Sequence, residues 1–141
     1  MILDASVVLS WLLEEAGSEP AGRLLARHDL AAPSIIIAEV GHVLAKHLRR
    51  RTLTADLANR AWQVFLASPL RTAPIEPITR RAFELSVALN ATYYDCLYLT
   101  LAERERDRLV TLDLGFVNAV RASGQPALQT RVATLADLSP P

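Results

Sequence analysis

Apolar residues along the chain form short runs, separated by longer stretches that repeat every three to four positions. "ILDAS" reads as a short N-terminal strand, with Ser6 placed to cap a helix through "VVLSWLLEE". Residues 19–27 read as a second helix, with Pro20 near its first turn. Ser34 is placed to cap a long helix, "IIIAEVGHVLAKHL", and "TADLANRAWQVFLAS" is an amphipathic helix stopped by Pro69. "LRTAPIE" predicts a strand, "ITRRAFELSVAL" a helix, and residues 93–105 another helix. "LVTL" predicts a strand that ends at Asp113, "GFVNAVRAS" a helix ended by Gly124, and "ALQTRV" a weak final strand. Short apolar strands alternating with helices predict a single α/β domain over residues 1–141. Its sheet should be short, mostly parallel and flanked by helices on both faces. Ligands of such folds bind beyond the carboxyl ends of the strands.

Four acids break this pattern. In a helix over residues 93–105, Asp95 shares a face with the apolar Tyr98, Leu99 and Ala102. Glu39 lies one to two turns inside its helix, beside Ile35, Ile36, His42 and Val43. Asp4 and Asp113 follow strands, and in a parallel sheet both fall at the same edge. Glu14, Glu15, Glu103, Glu105 and Asp107 sit in polar runs or at helix ends and raise no such question. A buried carboxylate without a partner costs several kcal/mol or holds its proton. The chain has one lysine, Lys46, and its arginines fall mostly in exposed runs. A divalent cation is therefore the economical partner. All-oxygen ligands select a hard ion, Mg²⁺ or Mn²⁺, over zinc, and Mg²⁺ usually meets a phosphate. This points to phosphodiester or phosphoryl chemistry. Each acid taken alone has a plainer account: Asp4 as a turn or cap residue, Asp113 as a helix cap, Glu39 paired with Lys46 or His42, Asp95 capping its own helix. Their joint occurrence is what carries the metal reading.

Composition narrows the setting. Hydrophobic residues make up 51% of the chain, which excludes a disordered protein. No apolar run reaches the length of a membrane span, and no basic segment precedes an apolar one as in a secretory signal. A cytoplasmic, membrane-free protein is the expectation. The single Cys96 excludes an internal disulfide and reads as a small buried hydrophobe. A net charge of zero argues against indiscriminate coating of a polyanion. Residues 39–60, however, hold five Lys/Arg against two acids, concentrated in "KHLRRR". That tract suits either a solvated helix end or a local polyanion contact.

"ILDASVVLSWLLEE", "APSIIIAEVGHVLAK", "TYYDCLYLTLAE" and "RLVTLDLGF" together resemble the PIN domain, and within it the VapC-type toxins of toxin–antitoxin modules. The resemblance spans nearly the whole chain. It implies a PIN-like α/β nuclease with Mg²⁺-dependent endoribonuclease activity, working as a homodimer held inactive by a cognate antitoxin. Carried over by position, Asp4, Glu39, Asp95 and Asp113 match the family's acidic quartet, with Asp4 and Asp95 as the most direct metal ligands. Ser6 and Thr111 match the small hydroxyl residues that orient a carboxylate or water there. His42 stands where the family often has Asn. It can donate a similar hydrogen bond but titrates near neutrality. Leu114 stands where a polar or basic residue is common.

Other classes fit less well. An aspartyl-phosphate phosphatase would want a second Asp where Ser6 stands. A receiver domain wants a lysine after a late strand. A carboxylate-bridged di-iron site needs a second Glu-x-x-His besides Glu39-x-x-His42, and there is none. A catalytically weak module of the same fold, binding RNA or a protein partner, is the alternative reading. An acidic site of this kind would also receive an arginine from an inhibiting antitoxin.

Overall fold

Strands of only two or three residues make up the sheet at the centre of the molecule. The computed structural model describes residues 1–13, 18–25 and 29–138; Glu14, Glu15 and Arg27 lie outside the described residues. The strands are β1 (Ile2–Leu3), β2 (Ala31–Pro33), β3 (Arg71–Ala73), β4 (Leu109–Val110) and β5 (Val132–Ala133). They pair in the order β3-β2-β1-β4-β5, and every pair is parallel. Ile2, Leu3, Leu109 and Val110 are at most 1% exposed, as central strands covered on both faces require.

The helices are α1 (Ala5–Leu12), α2 (Ser18–Leu25), α3 (Ile36–Arg49), α4 (Ala55–Leu66), α5 (Thr79–Leu89), α6 (Tyr93–Glu105), α7 (Leu114–Ala122) and α8 (Pro126–Gln129). Single 3₁₀ turns lie at Glu76–Ile78 and Ala136–Leu138. No helix among the described residues is long and apolar enough to cross a membrane. The α6 helix packs on β1, β2, β4 and α5. Positions 96 to 102 are all buried, so α6 is apolar all round over that span.

From β1 the chain moves to β2 and β3 on one side, then crosses back to β4 and β5 on the other. The segments leaving β1 and β4 therefore diverge and open a crevice at the carboxyl edge, where ligands of doubly wound sheets bind. The register Leu3↔Val110 and the bond from the Asp4 N–H to the Val110 carbonyl (3.0 Å) set the two strand ends side by side.

Several elements depart from the sequence expectation. The cap of α1 is Asp4, whose side chain accepts from the Ser6 N–H; Ser6 lies inside the helix. Ser34 does not cap α3, which starts from Ile35 with no side-chain cap; the Ser34 N–H is spent on the Ala73 carbonyl at 2.7 Å. "ALQTRV" is mostly not strand: Pro126 opens α8, and only Val132–Ala133 pairs with β4. The "LRTAPIE" and "LVTL" strands shrink to Arg71–Ala73 and Leu109–Val110. No local signal marks β2, since Ala and Pro have little strand preference. It is a strand because β1 and β3 hold it on both edges, through Ala31 N–H to the Met1 carbonyl (2.9 Å) and Arg71 N–H to the Leu30 carbonyl (3.0 Å).

Candidate functional site

The four acids singled out in the sequence come from four elements that meet at the carboxyl edge. Asp4 follows β1 and caps α1, and Asp113 caps α7 beyond β4. Asp95 stands in the first turn of α6, and Glu39 in the first turn of α3. They do not share one environment. Asp4 is 9% exposed, Glu39 and Asp95 are half-buried, and Asp113 is exposed. The expectation of four buried acids is thus corrected at Asp113. Its place as an N-cap keeps it at the surface, where its Oδ1 accepts from the Phe116 N–H at 2.9 Å.

Each carboxylate is fixed through one oxygen. Asp4 Oδ2 accepts from the Ser6 hydroxyl (2.5 Å) and the Thr111 hydroxyl (2.8 Å). These hydroxyls also bind the second strand end, Ser6 Oγ accepting from the Leu112 N–H (3.1 Å) and Thr111 Oγ1 from the Asp113 N–H (3.0 Å). The pair therefore ties β1 to the turn after β4 and orients Asp4 at once. Thr92, the N-cap of α6, and Asp95 bond each other through the Thr92 hydroxyl. The Asp95 N–H donates to Thr92 Oγ1 at 3.1 Å, and that hydroxyl donates to Asp95 Oδ2 at 2.5 Å. Glu39 Oε2 accepts from the Tyr98 phenol. The remaining oxygens, Asp4 Oδ1, Glu39 Oε1, Asp95 Oδ1 and Asp113 Oδ2, accept no hydrogen bond among the described residues. None of them is sealed from solvent.

Two of these partners were not picked out in the sequence. Thr92 carried a signal, Thr-x-x-Asp ahead of an apolar run. Tyr98 carried only the general rule that a buried phenol needs a partner, and its partner is 59 positions away. His42 lies one turn beyond Glu39, exposed and without a hydrogen bond. With Glu39 it lines a groove of about 580 Å³, otherwise apolar, between α1, α3 and Tyr94.

The charges act on one another. Burial raises the pKa of Glu39, opposed by the Tyr98 hydrogen bond and reinforced by the charges of Asp4 and Asp95. Burial likewise raises that of Asp95, opposed by Thr92 and reinforced by Asp4 and Asp113. Elsewhere acids meet cations: Glu103 with Arg81 (2.9 Å), Glu105 with Arg71 (2.6 Å), Glu84 with Arg80 (3.2 Å), Asp137 with Arg121 (2.8 Å), and Asp107 with the N-terminal amine. None of the four candidate acids has such a partner. The pairing of Glu39 with Lys46 or His42 weighed from the sequence does not occur.

The donor set suits a hard cation: oxygen only, unneutralised, and each carboxylate with one open oxygen. Geometry limits the fit, because among the described residues no three acids, His or Cys are gathered closely enough to hold a metal ion. Mg²⁺ is commonly held by one or two carboxylates with waters filling its octahedron. The site fits an ion bound in that way, and not a cage of four carboxylates.

The fold and the site define a small doubly wound α/β protein with an acidic crevice at its topological switch point. A family model described as the PIN domain matches residues 1–121, and the chain belongs to the PIN-domain family. Among curated relatives, Ribonuclease VapC3 of Pyrobaculum aerophilum is 31% identical over 118 residues, covering 80% of this chain and 88% of the relative. Ribonuclease VapC9 of Mycobacterium tuberculosis is 31% identical over 114 residues, covering 81% and 86%. A crystal structure, PAE2754 from Pyrobaculum aerophilum, superposes with a TM-score of 0.70 over 97% of this chain and 84% of its own, at 20% identity.

Proposed function

We propose that this protein is a metal-dependent endoribonuclease, the toxin of a toxin–antitoxin pair. One observation carries the reading: four carboxylates at the switch point, each pinned through one oxygen, each with the other open, and none ion-paired with a cation among the described residues. The family and the ribonuclease names of its relatives support the substrate.

Asp4 and Asp95 would hold Mg²⁺ or Mn²⁺ directly, and Glu39 and Asp113 would support the same ion. When bound, the cation supplies charge stabilisation at the scissile phosphate and acidifies a water. The chain's own residues do the rest. Ser6 and Thr111 hold Asp4 in one orientation through Oδ2 and leave Oδ1 for the cation. Tyr98 holds Glu39 Oε2 and leaves Oε1 to accept a proton from the attacking water. The burial and neighbouring charges that raise the pKa of Glu39 suit it to that role.

The groove beside Glu39 supports an apolar antitoxin segment as its occupant, with an arginine of that segment reaching the carboxylates. Phe83 and Val87, one turn apart on α5 and both well exposed, support a homodimer through that face. Sedimentation of the purified protein tests the dimer. A second reading, a catalytically weak module, draws on the lack of a converged metal cage. Incubation of total RNA with the protein in Mg²⁺, and again in EDTA, separates the two. The nuclease reading expects cleavage that EDTA abolishes and that Asp4→Asn removes. Cleavage that survives EDTA and every single acid replacement would overturn it.

A further inference from the structure

The basic tract at the end of α3 has no role in the site described above. Its residues sort by azimuth. Ile36, Val40 and Leu44 face the core. Gly41, Leu44, Ala45 and Leu48 line the seam against Trp62 and Ala58 of α4. Glu39, His42 and Val43 face the open groove. At 3.6 residues per turn, Lys46 and Arg50 lie within roughly 20° of Glu39 around the axis, about 10 Å and 16 Å further along it. Arg49 flanks them. All three cations are exposed, and none takes part in an ion pair or hydrogen bond through its side chain. The helix dipole favours cations in a last turn wherever they point. It does not account for two of them continuing the face that carries Glu39.

The geometry points to this face of α3 as a phosphate track: Lys46 and Arg50 receive the backbone of a single-stranded RNA that leaves the carboxylate crevice past His42. The inference rests on the ribonuclease reading for its substrate and adds where the strand runs. Placement of the cations away from the four acids matters, because a cation beside the carboxylates would compete with the metal. One or two turns along the helix it can hold a neighbouring phosphate instead. Contacts of this kind fix position and carry no sequence information.

The test is the salt dependence of binding of a fluorescein-labelled single-stranded RNA oligonucleotide, by anisotropy in EDTA, with RNA integrity checked by gel. Each phosphate contact contributes about 0.7 to the slope of log K against log salt concentration for single strands. The pair Lys46→Ala/Arg50→Ala should therefore lower the slope by about 1.4. Arg104→Ala/Arg108→Ala, which removes the same charge from the last turn of α6 and the turn before β4, should change it little. Lys46→Gln/Arg50→Gln repeats the test should the alanine pair melt early. A change no larger than the control's, or no RNA binding by the parent, overturns the track. Cleavage of the same RNA in Mg²⁺ is scored separately. A parent that binds through the track without cutting removes the nuclease reading alone; a parent that cuts with its slope unmoved by the variants removes the track alone.

Discussion

Replacing Asp95 with Asn separates a catalytic carboxylate from a structural one. The substitution keeps the shape and removes one charge. Asn Oδ1 still accepts from the Thr92 hydroxyl, and the bond from the residue 95 N–H to Thr92 Oγ1 is untouched. Two losses and two gains follow. A negative charge leaves the first turn of α6, which forfeits about 0.3–1 kcal/mol of dipole interaction. The Thr92 bond also changes from charge-assisted to neutral. Against this, a half-buried charge no longer needs desolvation, and its repulsion with Asp4 and Asp113 is relieved, on the order of 1 kcal/mol for close charges. In EDTA at pH 7 the variant should match the parent or exceed it by up to about 1 kcal/mol. The sign follows from linkage. The raised pKa of Asp95 means that its ionisation favours the unfolded chain. The parent's stability from this group is full below the unfolded pKa and is lost as pH rises through the folded one. The variant's advantage should therefore shrink as pH is lowered from 7 towards 4. Thr92→Ala is the contrast: it breaks the cap and should lose about 1 kcal/mol at any metal concentration. Urea melts of the three proteins, in EDTA and in Mg²⁺, measure all of this. Mg²⁺ should stabilise the parent more than the Asn variant, because only a site that binds the folded state raises stability, and the variant should not cut RNA. An Asn variant more than about 1 kcal/mol less stable in EDTA, yet still cleaving, would refute the reasoning and leave Asp95 a cap residue.

Tyr98→Phe deletes only the phenol oxygen that holds Glu39 Oε2; Mn²⁺ titration should show affinity falling about 10–100-fold, and urea melts a loss of about 0.5–1.5 kcal/mol. If the same loss of Mn²⁺ affinity persists in a Glu39→Gln background, Tyr98 does not act through Glu39. Glu39→Gln should also flatten the fall in thermal stability of the metal-free protein as pH rises through the raised Glu39 pKa, so melting curves of parent and variant in EDTA should diverge upward in pH. Burial, with the charge of Asp95, pushes the Cys96 thiol up to about 12; a colorimetric thiol reagent at pH 8 should react with it only after denaturant is added, and rapid reaction of the native protein would contradict the burial.

The sequence by itself determined the class of fold, the four acids and the position of most helices, because those depend on local pattern. Apolar runs alternating with helical periodicity are legible one window at a time, and residues 93–105 were found as α6 with both ends in place. An acid among apolar neighbours is visible without knowing what lies across from it. The structure decided which oxygen of each acid is used. Asp4 depends on Thr111, 107 positions away, and Glu39 on Tyr98, 59 positions away, and no local pattern records such pairs. It also decided β2, where weak local preference is overridden by two flanking strands. The α1 cap moved from Ser6 to Asp4 because the chain leaves β1 directly into the helix, with no residue between strand end and cap. The same abrupt junction puts a carboxylate at the mouth of the crevice. There one residue both starts a helix and faces the site, and only the sheet order that brings β1 beside β4 gives it that second role.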